Sequence, residues 1–412
     1  MTDIPTVQRR ILRVLVVTQV LAGVGMATVL AVSTLIAARL SGSEAVGGTA
    51  LTAVVLGAAA AAAVVSRVAA RRGRRPALTL GYGIGTVGGL GAVISVAAGS
   101  AVALLGALVL VGAATAAGLA ARFAATDLAD TGRRARALAT VVWATTVGAV
   151  AGPNLAGPVQ GVAAGLGLEP TTGPFLLCTV AFGLAAAGTW LGLRPDPLLL
   201  ARSGADAAAG TAVSGVQVRA AVLASTPALL GIGGVALSHL LMVGLMSMTP
   251  VHMDHGGVSL QVVGLVLSLH VAGMYALSPV FGWLADRVGR ARVLALAAGL
   301  LATAAVVCSV AGPRSTALLG VGLVLLGLGW SAGLIAGSTL LTESVPVAVR
   351  PGAQGFADVT MNVSGAVGGI AAGLVVAGAS FTVLGMVAAV LAVPYLLTAG
   401  RFASRAPALA VA

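Results

Sequence analysis

The chain has 412 residues, of which 58% are hydrophobic and only 8% charged. A soluble domain carries about 25% charged residues, so a water-soluble globule is excluded; apolar runs of about 20 residues without alternation exclude a transmembrane β-barrel as well. The net charge of +12 comes wholly from arginine, the chain has no lysine, and aromatic residues at 3% offer no stacking platform, so no nucleic-acid partner is expected.

The expected fold class is an all-α membrane protein with twelve transmembrane helices. The apolar runs are 11–37, 46–65, 77–97, 101–121, 138–163 and 173–193, then 226–250, 258–281, 293–311, 317–341, 356–378 and 381–399. Each can cross a hydrocarbon core about 30 Å thick at ~1.5 Å per residue. The first run is too long for the apolar core of a signal peptide and reads as a retained helix. Cys178 and Cys308 lie inside apolar runs and imply no disulfide framework.

Arginine placement orients the spans. The amino-terminal segment through Arg13, the segments after runs two, four, six and eight, and the one after the last run, with Arg350, hold 21 of the 23 arginines; only Arg39 and Arg314 fall on the other side. By the positive-inside rule both termini are expected in the cytoplasm. The one composition break, 194–225, carries Pro195, Asp196, Pro197 and Asp206 and reads as a flexible cytoplasmic linker. It divides an N-terminal six-helix half, 1–193, from a C-terminal six-helix half, 226–412.

The halves read as a duplication at an offset of 216. GWLADRVGRARVL at 282–294 lies over SRVAARRGRRPAL at 66–78, Thr342-Glu343 over Thr126-Asp127, Arg350 over Arg134, Gly368 over Gly152 and Gly373 over Gly157. Repeated halves are an established transporter plan.

All four histidines, and five of the nine methionines, lie within 239–274. Met242 and Met246 are spaced i,i+4, as are His270 and Met274, so each pair shares a helix face; His239 extends the first. A histidine inside a membrane span is costly and marks a functional site, with an interhelical hydrogen bond as the plainer reading. Thioether and imidazole together form a soft-leaning ligand set that suits Cu(I). At ~1.5 Å per residue, Met246 is expected ~6–9 Å and Met242 ~12–15 Å below the outer boundary, with His239 and His270 both near ~18 Å and Met274 deeper. His252, Asp254 and His255 stand at the outer mouth, as cation collectors or simply as a polar turn. Asp358 and Asn362, also i,i+4, are candidates for coupling, with helix capping as the alternative for Asp358. Gln19 reads as a residue lining the pathway or, more plainly, hydrogen-bonding between helices, and Asp127, Asp130 and Glu343 as partners of arginine.

GWLADRVGRAR resembles the loop motif of the major facilitator superfamily. The resemblance spans the whole chain: twelve helices, a central loop and the motif after helices 2 and 8. It implies a conformational latch built from Gly282, Asp286, Arg287, Gly289 and Arg290. The first half departs from the motif, with Ala70 in place of the aspartate and Ser66 in place of the first glycine. GAVAGPNLAGP at 148–158 resembles a helix-5 motif of proton antiporters, and reads otherwise as a site of kinking and close packing.

Met242-x-x-x-Met246 and His270-x-x-x-Met274, with SLHVAGMYALSPVFGWLADR around the second, resemble the CcoA-like copper importers, a bacterial branch that supplies copper for haem–copper oxidase assembly. That branch implies copper as transported substrate and Met242, Met246, His270 and Met274 as its ligands. It also implies copper chaperones of oxidase assembly and membrane lipid as partners, and no cofactor. Relatives associated with riboflavin keep an organic solute open as substrate, as does drug/proton antiport. A non-transporting metal sensor would need a signalling domain or docking tail. No enzyme motif is present, and without a phosphate-binding loop and its lysine, transport must be secondary.

Overall fold

The computed structural model describes residues 4–204 and 214–405; Asp206 and the tail from 406 lie outside them. Fifteen α-helices are described: α1 (Ile4–Ser41), α2 (Glu44–Arg72), α3 (Arg74–Ala97), α4 (Ala101–Ala124), α5 (Arg134–Gly165), α6 (Gly173–Gly192), α7 (Pro197–Gly204), α8 (Gly215–Leu223), α9 (Thr226–Asp254), α10 (Leu260–Tyr275), α11 (Ser278–Val288), α12 (Arg290–Val310), α13 (Thr316–Glu343), α14 (Arg350–Gly378) and α15 (Phe381–Arg405). Twelve spans among the described residues are long and apolar enough to cross a membrane. In hydrocarbon only helices and closed barrels satisfy their own backbone, and the described residues use helices throughout.

The helices outrun the apolar stretches mostly at their arginine-bearing ends. The expected span 258–281 is interrupted at Ala276–Leu277, where α10 gives way to α11. Pro279, in the first turn of α11, has no N–H to continue the ladder. α14 begins at Arg350, six residues earlier than the apolar stretch suggests. Two short helices, α7 and α8, occupy parts of the linker segment.

Contacts divide the chain into two compact units. The first comprises Met1–Ala129, Ala144–Val218 and Val347–Val359; the second comprises Asp130–Trp143, Arg219–Pro346 and Thr360–Ala412. In the first, α3 packs on α4 and α6, α2 on α4, and α1 on α6. In the second, α12 packs on α13 and α15, while α9 and α10 both pack on α13.

The duplication is visible as paired contacts at the 216-residue offset. Arg74 binds Asp127 at 2.7 Å in the first unit, and Arg290 binds Glu343 at 2.9 Å in the second. Gly73 and Gly289 both join two helices at positive φ, 93° and 102°, which only glycine adopts without strain. Gly152 packs on the Val24 carbonyl of α1, and Gly368 on the Leu240 carbonyl of α9.

Candidate functional site

The methionine–histidine region is organised by α13, which is largely buried. Small residues let its neighbours approach closely, as expected of membrane helices. A methyl group built on Gly333 would fall 2.1 Å from Ser238 Oγ on α9, and one on Gly327 would fall 2.5 Å from the His270 carbonyl oxygen and 2.8 Å from the Met274 nitrogen on α10. These two contacts set a common register. Ser238 of α9 stands level with Gly333, and the turn 270–274 of α10 stands level with Gly327. At ~1.5 Å per residue, Met242 comes to the height of Met274, and Met246 to the height of His270.

The side chains on these two rungs are mostly enclosed. Met242 is 4% exposed, Met274 7% and His270 0%; Met246 is half-buried. His270 Nδ1 lies 2.7 Å from the Leu323 carbonyl oxygen. A carbonyl only accepts, so in the neutral ring Nδ1 carries the proton and Nε2 the lone pair. That Nε2 is buried and has no hydrogen-bond partner. Histidines that ligate metals show this pattern, one ring N–H tied to a carbonyl and the other nitrogen free.

His239 is set the other way round. Trp330 Nε1 donates to His239 Nδ1 at 2.9 Å, so the proton of the neutral ring is on Nε2, which faces Gly365, and its lone pair is already engaged. Trp330 also meets Tyr275 of α10 edge-on, with ring centroids 5.6 Å apart. The expectation that His239 and His270 lie at one depth is corrected: with Ser238 at Gly333 and the 270–274 turn at Gly327, His270 is level with Met246, and His239, seven residues earlier on α9, sits ~10 Å further along α13.

The outer-mouth residues do not converge. His252 Nε2 lies 3.0 Å from the Ala311 carbonyl, and its ring stacks on Phe381 at 4.3 Å. That fastens the end of α9 to the chain before α13 and to the start of α15. Asp254 and His255 are exposed. Cys308 packs its sulfur against Gly322, and Cys178 is buried, both as free thiols.

The latch residues form a network in the second unit. Asp286 accepts from the backbone N–H groups of Ala135 at 3.1 Å and Arg136 at 3.0 Å, from Arg136 Nε at 3.2 Å and from Arg290 Nη2 at 3.0 Å. α5 begins at Arg134, so the carboxylate sits on the unpaired N–H groups and positive dipole end of that helix. Arg287 is exposed and lies over the Trp283 ring at 5.2 Å. Gly282 is pressed against Ala139, where a methyl would fall 2.5 Å from its Cβ.

The first unit is wired differently. Arg74, besides Asp127, donates to Gln354. Arg122 and Asp358 form an ion pair at 2.5 Å with side chains 1% and 5% exposed. Because α14 starts at Arg350, Asp358 lies two turns inside the helix and caps nothing, which corrects the capping alternative; Asn362 follows one turn on. Asp196, from the linker segment, accepts the Arg75 N–H at 2.7 Å at the start of α3. Gln19 donates to Thr145 at 3.0 Å, tying α1 to α5, and Gly148 and Gly152 pack closely on α1 while Gly157 has open space.

A family model for the Major Facilitator Superfamily matches residues 15–259 and 231–410. The chain belongs to the Major Facilitator Superfamily. It is 37% identical over 387 residues to "Uncharacterized MFS-type transporter YdeG" of Bacillus subtilis (strain 168), covering 93% of this chain and 89% of that one. It is 36% identical to YddS of the same organism, covering 93% and 88%. It is 26% identical over 366 residues to the riboflavin transporter RfnT of Brucella anthropi, covering 88% and 87%. Among solved structures it resembles a bacterial homologue of the iron transporter ferroportin (TM-score 0.75, 14% identity, 96% and 100% covered) and the proton:xylose symporter XylE (TM-score 0.71, 17% identity, 97% and 96% covered). At these identities the solved structures speak for the fold alone.

As a member of the Major Facilitator Superfamily, the chain is a multi-pass secondary transporter, not an enzyme. Sequence reading missed Trp330, Leu323 and Gln354, and it read Asp196 only as linker. Leu323 acts through its carbonyl, which no side-chain pattern reports. Trp330 was legible as one of only four tryptophans in the chain, but its partners come from two other helices.

Proposed function

We propose that this transporter imports copper across a bacterial cytoplasmic membrane, both termini on the cytoplasmic side, through Met246, His270, Met242 and Met274. The observation that carries the reading is the buried, unclaimed Nε2 of His270, held in that tautomer by Leu323. The matched heights of Met246 with His270 and of Met242 with Met274 give an entering ion two successive thioether-containing rungs. Neutral sulfur and nitrogen donors suit Cu(I) and lack the charge of thiolates, which favours release as well as capture. His239 serves as a partner of Trp330 beyond the lower rung. The copper chaperones of haem–copper oxidase assembly would receive the ion.

The coupling group in this reading is Asp358. A buried aspartate–arginine pair in a membrane helix can exchange its ion pair for a proton on the carboxylate, freeing Arg122.

A second reading has its own support. His239, Trp330 and Tyr275 gather three of the chain's few rings beside the lower rung, and RfnT is a riboflavin transporter. A planar organic solute could stack there. Uptake of radiocopper and of riboflavin into the same proteoliposomes separates the two: copper import requires copper accumulation that is lost in His270→Ala, whereas an organic carrier takes up riboflavin and tolerates that change.

A further inference from the structure

The two repeats differ at one point of their latches, and the difference leaves a cavity. In the second unit the Asp286 carboxylate covers the Ala135 and Arg136 N–H groups. Subtracting 216 from Asp286 gives Ala70; adding 216 to Ala135 and Arg136 gives Pro351 and Gly352 of α14. No carboxylate can come from Ala70. The first backbone bond of α14 is Ala353 N–H to the Val349 carbonyl, so the Gly352 N–H precedes the helix ladder.

Beside Ala70 and Gly352 lies a cavity of about 390 Å³, lined also by Ser66, Arg67, Arg71 and Val218. The charged groups among its described lining residues are the two arginines. Arg202 builds the neighbouring wall: its Nη1 donates to the Ala70 carbonyl at 2.9 Å and its Nη2 reaches the Ala348 carbonyl at 3.5 Å. Arg202 Nε is buried without a hydrogen-bond partner. The cavity is thus positively lined, has hydrogen-bond donors to spare, and is too large for one carboxylate or a halide.

We propose that a phosphate-bearing anion binds here, held by Arg67 and Arg71 where the first repeat lacks its latch carboxylate. Guanidinium groups fit phosphate oxygens in pairs. The cavity lies at the arginine-rich end of α2, within reach of lipid headgroups and of dissolved phosphate alike. This inference does not depend on what the transporter carries.

The test uses the full chain in phosphatidylcholine nanodiscs. Phosphatidylglycerol is introduced in one arm and inorganic phosphate in the other, and the concentration that half-saturates the rise in melting temperature is measured. Arg67→Gln/Arg71→Gln should weaken half-saturation by about fivefold per arginine, and Ala70→Asp, which supplies the missing carboxylate in place, by more than about tenfold. Ala70→Asn, of the same size but neutral, should bind as the unmodified chain does and controls for folding. Arg9→Gln/Arg10→Gln removes equal charge elsewhere and should leave binding unchanged. A response to phosphatidylglycerol alone identifies a lipid headgroup; a response to both identifies a site open to free phosphate. No response in either arm, an unchanged response in Ala70→Asp, or equal weakening in Arg9→Gln/Arg10→Gln overturns the proposal.

Discussion

His270 and Leu323 are joined by a 2.7 Å hydrogen bond that decides which imidazole nitrogen is free. His239 and Trp330 make the converse arrangement, with the indole N–H occupying the histidine lone pair. Two histidines of one transporter half are therefore chemically unlike, although both lie near the methionines. The distinction gives each an expected phenotype.

His270→Gln should lower copper uptake by more than about tenfold, the scale on which loss of a ligand or its orienting partner acts. His239→Gln should cost no more than about threefold, since the lone pair of its ring is already taken by the Trp330 N–H. Initial rates of radiocopper uptake, normalised to folded protein, check both; equal losses in the two variants would contradict the assignment of roles.

The repeats also exchange a small residue. In the second unit Gly282 faces Ala139; at the same places in the first, Ser66 faces Gly355, where a methyl would fall 2.2 Å from the Ser66 Cβ. Gly355→Ala alone should destabilise by about 1–3 kcal/mol through overpacking. Adding Ser66→Gly recreates the Gly282–Ala139 arrangement and should recover most of that loss. Thermal melting of both single variants and the double variant measures the coupling, and additive losses would reject the exchange.

Asp286→Ala leaves the Arg290 guanidinium, 6% exposed, without one of its acids, and strips the amide cap from α5. Breaking a buried ion pair on one side costs about 3–5 kcal/mol. Amide hydrogen exchange at 134–136 should speed up markedly, and transport should fall. Unchanged exchange there would mean that the carboxylate does not hold the helix end.

If Asp358 couples transport to protons, Asp358→Asn should leave downhill exchange across the membrane intact while abolishing accumulation driven by a pH gradient. Counterflow and gradient-driven uptake in the same vesicles distinguish this from misfolding, which would remove both. Retention of gradient-driven uptake would move the coupling role elsewhere.

Much of the architecture could be read from the chain before any coordinates. Apolar length and arginine spacing gave the spans, and the 216-residue offset laid Glu343 over Asp127 as partners of arginine without naming which; the structure pairs them with Arg290 and Arg74, which are related by the same offset. Helix ends were misplaced where polar residues continue a helix, as from Arg350 to Phe356, because hydropathy marks the membrane and not the helix. The Met/His residues stood out by rarity and spacing. Their relative heights did not, because register is set by Ser238 on Gly333 and by the 270–274 turn on Gly327, contacts of small residues that leave no signature of their own. The Arg122–Asp358 pair was equally hidden: it joins positions 236 residues apart, outside the repeat offset.

The most direct test of the central claim is accumulation of radiocopper, supplied as Cu(I), by proteoliposomes containing the purified chain, with His270→Ala alongside. Copper import predicts saturable accumulation by the unmodified chain and near-background uptake by the folded variant. Equal accumulation by the two, or riboflavin uptake without copper uptake, would contradict it.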